Sequence, residues 1–216
     1  MPNVFKAHAG ALLLCFAACV QAAQPAPPAD PSQAEIAALK RGFAALEAKK
    51  PDTAVDTFRA LSSSANPDMA ALALEGMGHA YRQKLDFTKT VSSFEQSLAL
   101  PTTMPRDLPA LHQHIGMAAV LAGQYGTAVK HLSSWKAAWE AHEPSGAYEY
   151  ANSVLVYLAV ALAEQRQYPQ ALKAIEQSQA LKPTAGANTI QNAIEAAAKS
   201  GKAKPGAIAG LLKPGP

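Results

Sequence analysis

Cysteine is almost missing from this chain. The two present, Cys15 and Cys19, both fall within the first 22 of 216 residues. Beyond residue 19 there is no thiol, which excludes a disulfide framework, thiolate catalysis and a cysteine zinc site there. Charge is sparse as well, at 16% of residues, with 19 basic against 16 acidic side chains. No basic stripe is present, so the electrostatic footprint of a nucleic-acid binder is lacking. The longest apolar run, at 9–20, is about a dozen residues, too short to cross a hydrocarbon core of roughly 30 Å as a helix. No later stretch is longer.

Catalytic signatures are missing too. There is no Gly-x-Ser-x-Gly elbow, no phosphate-cradling glycine loop with lysine and no His-Glu-x-x-His. Gly76-Met77-Gly78 lies in a helical pattern without the third glycine of a dinucleotide turn. His112 and His114 resemble a metal pair, but two residues apart on a helix they point roughly 200° apart. His131 and His142 have no ligand partner at helical spacing. The expectation is a non-enzymatic protein with no cofactor, no metal and no nucleic-acid partner, with a hydrolase or metalloprotein as the alternative.

What is present begins with an address. Lys6 precedes the apolar run, and Val20-Gln21-Ala22 offers small residues for cleavage, so 1–22 reads as a secretory signal peptide. The implied location is periplasmic or secreted. Phe16-Ala17-Ala18-Cys19 gives an alternative, a lipobox that would make Cys19 the acylated first residue of a membrane-anchored lipoprotein. Residues 23–31 (AQPAPPADP) form a stiff spacer, because closely spaced prolines forbid helix. Ser32 and Glu35 then make a capping box, and folded structure is expected from residue 32.

From there one spacing recurs. In 155–183, Ala159, Tyr168, Ala171, Ile175 and Pro183 stand at offsets of 9, 12, 16 and 24 from the first. Gly42, Ala54 and Phe58 repeat the offsets of 12 and 16. So do Gly78, Thr90 and Phe94, and again Gly116, Ala128 and Leu132. The leading small residues are separated by 36, 38 and 43 residues. A small residue at the lead lets two helices of a hairpin approach, and the bulky residue at offset 16 fills the space towards the next hairpin. Lys50-Pro51, Asn66-Pro67, Asp86 and Tyr168-Pro169 mark helix starts. The longest gap predicts a longer second helix in the third copy, running through Trp135 and Trp139 to about His142. A loop at 143–146 follows, with Ser145 capping the next helix. The tryptophans either fill the wider gap or anchor an interface.

This small–aromatic–small–bulky pattern resembles the tetratricopeptide repeat (TPR), a helix–turn–helix unit of 34 residues. The resemblance implies an all-α, right-handed solenoid: four repeats over 32–183, a capping helix at 184–200 and a flexible tail at 201–216. It also implies a concave groove built from the first helix of each repeat, which binds a peptide or helix of a protein partner. By the repeat's register, Glu75, His79 and Arg82 face that groove from repeat two. Gln113, His114 and Met117 face it from repeat three, with Val120 alongside. Tyr157 faces it from repeat four, with Val156 and Val160. Repeat one offers an apolar stripe, Ile36, Leu39, Phe43 and Leu46, through which self-association is an alternative use. A one-residue shift there would bury Leu39 and Phe43 in place of Arg41. Leu39, Phe43 and Gly76 occupy places where the chaperone-binding members of the family carry polar clamp residues, so a carboxylate-clamp co-chaperone is not expected. The run 131–168 is also similar to periplasmic TPR proteins that accompany TonB systems, which gives a second functional alternative, a subunit of an envelope assembly or transport complex.

Overall fold

The computed structural model describes residues 30–142 and 145–212. The leader expected at 1–22 and nearly all of the spacer at 23–31 lie outside them. Among the described residues the regular structure is helical: α1 (Gln33–Glu47), α2 (Pro51–Leu61), α3 (Pro67–Gln83), α4 (Phe87–Leu98), α5 (Leu108–Leu121), α6 (Tyr125–Glu140), α7 (Ala151–Glu164), α8 (Tyr168–Leu181) and α9 (Ala185–Ser200). Two short 3-10 turns, Gly146–Tyr150 and Ala209–Leu211, complete it.

Side-chain caps fix the helix starts. Ser32 Oγ accepts from the Glu35 amide at 3.2 Å while Glu35 accepts from the Ser32 amide at 2.8 Å, so the capping box forms. Asn66, Asp86, Asp107 and Thr184 each accept from the amide three residues on. Removing such a cap typically costs about 1 kcal/mol. Each hairpin turn carries one left-handed residue: Lys49, Leu85, Gly123 and Arg166, with φ of 55°, 59°, 73° and 59°.

Packing explains the recurrent spacing. A Cβ placed on Gly42 would lie 2.4 Å from the Phe58 ring, one on Gly78 2.7 Å from Phe94, and one on Gly116 2.4 Å from Leu132. The leading glycines therefore set the distance between the helices of each hairpin, against the residue at offset 16. Phe58 is gripped from a second side, since a Cβ on Gly76 would also come within 2.4 Å of its ring. Hairpins stacked in this way bury Phe58, Phe94, Ile115, Leu132, Trp135, Leu155, Ile175 and Ile194 completely. The product is an all-α solenoid, α1/α2 through α7/α8, covered at its far end by α9. Ala187, Ile190, Ile194 and Ala197 form the buried stripe of α9, and Gly201 ends it in the left-handed conformation, φ 64°.

Several local expectations change. Helix α6 ends at Glu140, and His142 turns the chain with φ 58°. Ser145 caps the 3-10 turn Gly146–Tyr150, not a helix, by accepting from the Ala147 amide; α7 starts only at Ala151. Trp135 is fully buried and stacks on Trp139 at 5.8 Å, with the Tyr148 ring edge-on at 6.0 Å, so this pair fills the wider gap. In α1, Arg41 is exposed while Leu39 and Phe43 are half-buried, and Phe43 packs edge-on against Phe58 at 5.1 Å.

The tail expected to be mobile is docked over its described part. Ile208 is buried, and the Glu164 carboxylate accepts from the amides of Gly206, Ile208 and Ala209 at 2.7, 2.9 and 2.9 Å. A carboxylate at the end of one helix thus gathers donors some 40 residues later, a pairing with no periodic signature in sequence.

Candidate partner-binding groove

The first helices of the hairpins do not approach one another equally. Helices α1 and α3 are in close contact, as are α5 and α7, whereas α3 and α5 stand apart. One position differs between the first two steps. Gly76 lies two residues before the leading Gly78 and lets α3 close onto Phe58. The corresponding residue before Gly116 is His114, whose ring stacks on Phe94 at 5.4 Å. An imidazole now occupies space that the glycine leaves free.

The wider gap is bridged by side chains. His79 meets the His114 ring edge-on at 5.1 Å and the Phe94 ring edge-on at 5.0 Å. Arg82 Nη1 donates to His114 Nδ1 at 3.4 Å, so neutral His114 carries its proton on Nε2. Burial, reinforced by the charges of His114 and Arg82, pushes the His79 pKa down to about 3. Burial and the Arg82 charge push His114 down to about 4. Both rings are therefore uncharged at neutral pH, and Arg82 is the cation of this bridge.

Two cavities flank His114. The first, of about 290 Å³, lies between the middle of α3 and the start of α5 and includes Glu75, His79, Met104, Arg106 and Asp107 in its wall. The second, of about 220 Å³, lies towards the end of α3 and is lined by Arg82, Leu85, Phe87, Gln113, Met117 and Leu121, with His114 shared by both. Of the seven residues expected to face the groove, Glu75, His79, Arg82, Gln113, His114 and Met117 thus come together. Tyr157 does not; it packs half-buried against the core of the last hairpins, and burial raises its phenol pKa. Val120 and Val160 are buried in the stack.

Glu75 differs from a solvated side chain. Arg106 donates to its Oε1 from Nη2 at 2.6 Å and from Nε at 3.1 Å. The same guanidinium donates to the Ser97 carbonyl at 3.0 Å and is itself well buried. The segment carrying Arg106 is held in place by Asp68, which accepts from the Thr103 hydroxyl and from the amides of Thr103 and Met104. Those bonds, the Thr103 hydroxyl first, hold the Asp68 carboxyl below the usual carboxylate range. Arg106 escaped the sequence reading because it sits in a connecting segment, 31 residues from its partner.

His112 turns away from His114 as helical geometry requires, and meets His131 of α6 instead, Nδ1 to Nδ1 at 2.9 Å. His131 Nε2 donates to Glu95 at 3.3 Å, so its Nδ1 accepts the His112 proton. Burial lowers both pKa values, and the pair works as a polar pin between α5 and α6. Among the described residues no three metal-ligating side chains gather, and no helix is long and apolar enough to cross a membrane.

The arrangement of helices is similar to the solved structure of MamA (AMB-1), at 17% sequence identity and a TM-score of 0.58, covering 83% of this chain and 91% of that one. MamA contains TPRs, and the likeness establishes for this chain a TPR-like helical-repeat fold. No family model matches the chain, and no curated protein does.

Proposed function

We propose that this chain is an exported bacterial TPR protein, a non-catalytic interaction scaffold that holds a segment of a protein partner in the concave groove between α3 and α5. The observation that carries this reading is the open step at His114, where a cavity lies on each side of the ring. A TPR-like fold supports it, because a preformed groove on rigid helices spends little ordering entropy on binding. The leader ending near Ala22 directs the chain to the cell envelope, where it acts in the periplasm or outside the cell.

A photo-crosslinking amino acid at position 117, introduced in the native host, tests the groove. Partner adducts form from position 117 and not from exposed Gln96 on α4, and Arg82→Ala reduces them. Equal labelling from both positions sinks this reading. A second reading, a lipoprotein subunit of an envelope assembly or transport complex, rests on Phe16-Ala17-Ala18-Cys19. Intact mass separates the two addresses: a mature chain beginning at Ala23 supports the first, and an acylated Cys19 the second.

A further inference from the structure

We propose that the cavity at the end of α3 takes an aliphatic side chain from an internal segment of the partner, and that an Asp or Glu beside it pairs with Arg82. This rests on the groove reading and adds the chemistry of the occupant.

Four observations converge on it. First, Arg82 has no acidic partner among the described residues, where its recorded hydrogen bond is the one to neutral His114. The other cation of the groove, Arg106, is already engaged by Glu75. An unpaired guanidinium at the rim of a partly desolvated site favours a carboxylate, which it can hold through two parallel N–H groups. Second, the remaining wall is apolar: Leu85, Phe87, Met117, Ala118 and Leu121. At about 220 Å³ the space falls below the ~300 Å³ at which small-molecule sites begin, and suits a side chain.

Third, Gln113 belongs to the wall, is 8% exposed, and leaves its Oε1 without a hydrogen-bond partner. A buried acceptor without a donor is costly. A backbone N–H of a bound segment supplies that donor once the side-chain amide turns towards the cavity. Fourth, Leu85 holds a left-handed backbone at φ 59° and is 66% exposed. An apolar, β-carbon-bearing side chain at that turn position is unfavourable on both counts in the free protein, and gains by covering an aliphatic guest. The carboxylate is assigned to a side chain and not to a C-terminus because of the space beyond His114. A second cavity, with Arg106 and Asp107 in its wall, lies on the other side of that ring and gives a bound chain room to run on.

Panning a library of dodecapeptides, displayed internally with both ends blocked, on the full chain tests this. The expected clones carry Asp or Glu next to Leu, Ile, Val or Met. Replacing that acid by its amide weakens binding at least tenfold on the wild type and causes no further loss on Arg82→Gln. Arg82→Lys restores part of the affinity, and circular dichroism melting shows the variants folded. Clones lost on Met117→Glu but indifferent to the acid and to Arg82→Gln overturn the acidic segment and leave the groove standing. A second library, displayed with a free C-terminal carboxylate, is panned alongside. Clones unaffected by both variants, or none above background in either library, overturn both. Binders from the free-carboxylate library alone overturn the internal segment in favour of a terminus.

Discussion

The step from α1 to α3 and the step from α3 to α5 use the same two places in the repeat and reach opposite results. In the first, Gly76 sits against Phe58, and the interface is a close contact in which a single Cβ has no room. In the second, His114 stands over Phe94, and the gap is spanned by imidazoles and a guanidinium beside two cavities. One is a closed contact, the other leaves surface open beside His114. A helical stack can thus be kept rigid by its tight steps while a single open step stays free for the proposed recognition.

The comparison can be broken from the tight side first. Truncating Phe58 to Ala removes a fully buried ring held by two helices, with an expected loss of about 3–5 kcal/mol in chemical denaturation. A loss under 1 kcal/mol would show that α1 and α3 do not close on it. Gly76→Ala overpacks the same contact and is expected to cost about 1–3 kcal/mol. Most of that loss returns when Phe58 is shortened to Leu in the same chain, and a double variant no better than the single one refutes the contact.

On the open side the effects shrink and change in kind. Removing Arg106 leaves the Glu75 carboxylate part-buried without its cation, at an expected cost of about 2–3 kcal/mol. Glu75→Ala therefore carries a stability effect of its own and makes a poor probe of binding. Leu85→Gly relieves the left-handed strain, so stability rises by roughly 0.5–1 kcal/mol while partner capture falls. A melting point that drops together with binding would contradict that separation.

Acid sharpens the contrast further. His79 and His114 titrate near 3 and 4 when folded and near 6.5 when unfolded, so between those values the unfolded chain binds more protons. Stability is full above about pH 6.5 and declines as pH falls towards 3–4. His79→Gln flattens this decline in urea titrations between pH 6 and 4. An unchanged slope would mean that these rings are not held neutral by the seam.

The leading glycines and their partners at offset 16 were legible in sequence, because both members of each pair belong to one hairpin and their separation is a fixed number of residues. Gly42 with Phe58, Gly78 with Phe94 and Gly116 with Leu132 all pack as that spacing requires. The groove side chains from α3 and α5 followed from the same register. Arg106 with Glu75, Asp68 with Thr103, and His112 with His131 did not. Each of these joins elements whose separation depends on a connecting segment or on how one hairpin settles on the next. Tyr157, which the register puts on the groove side, is half-buried against the core and lines neither cavity beside His114.

Solenoids open from their ends, since a terminal hairpin has a neighbour on one side only. The three amides that converge on Glu164 change what opening means at the C-terminal end of this one. Helix α9 cannot peel away as a free flap, because the chain that follows it is tied back to the end of α7. Hydrogen exchange there becomes a shared event, in which the amides of 206, 208 and 209 are released together with those of α9. One carboxylate thus turns a fraying edge into a cooperative unit.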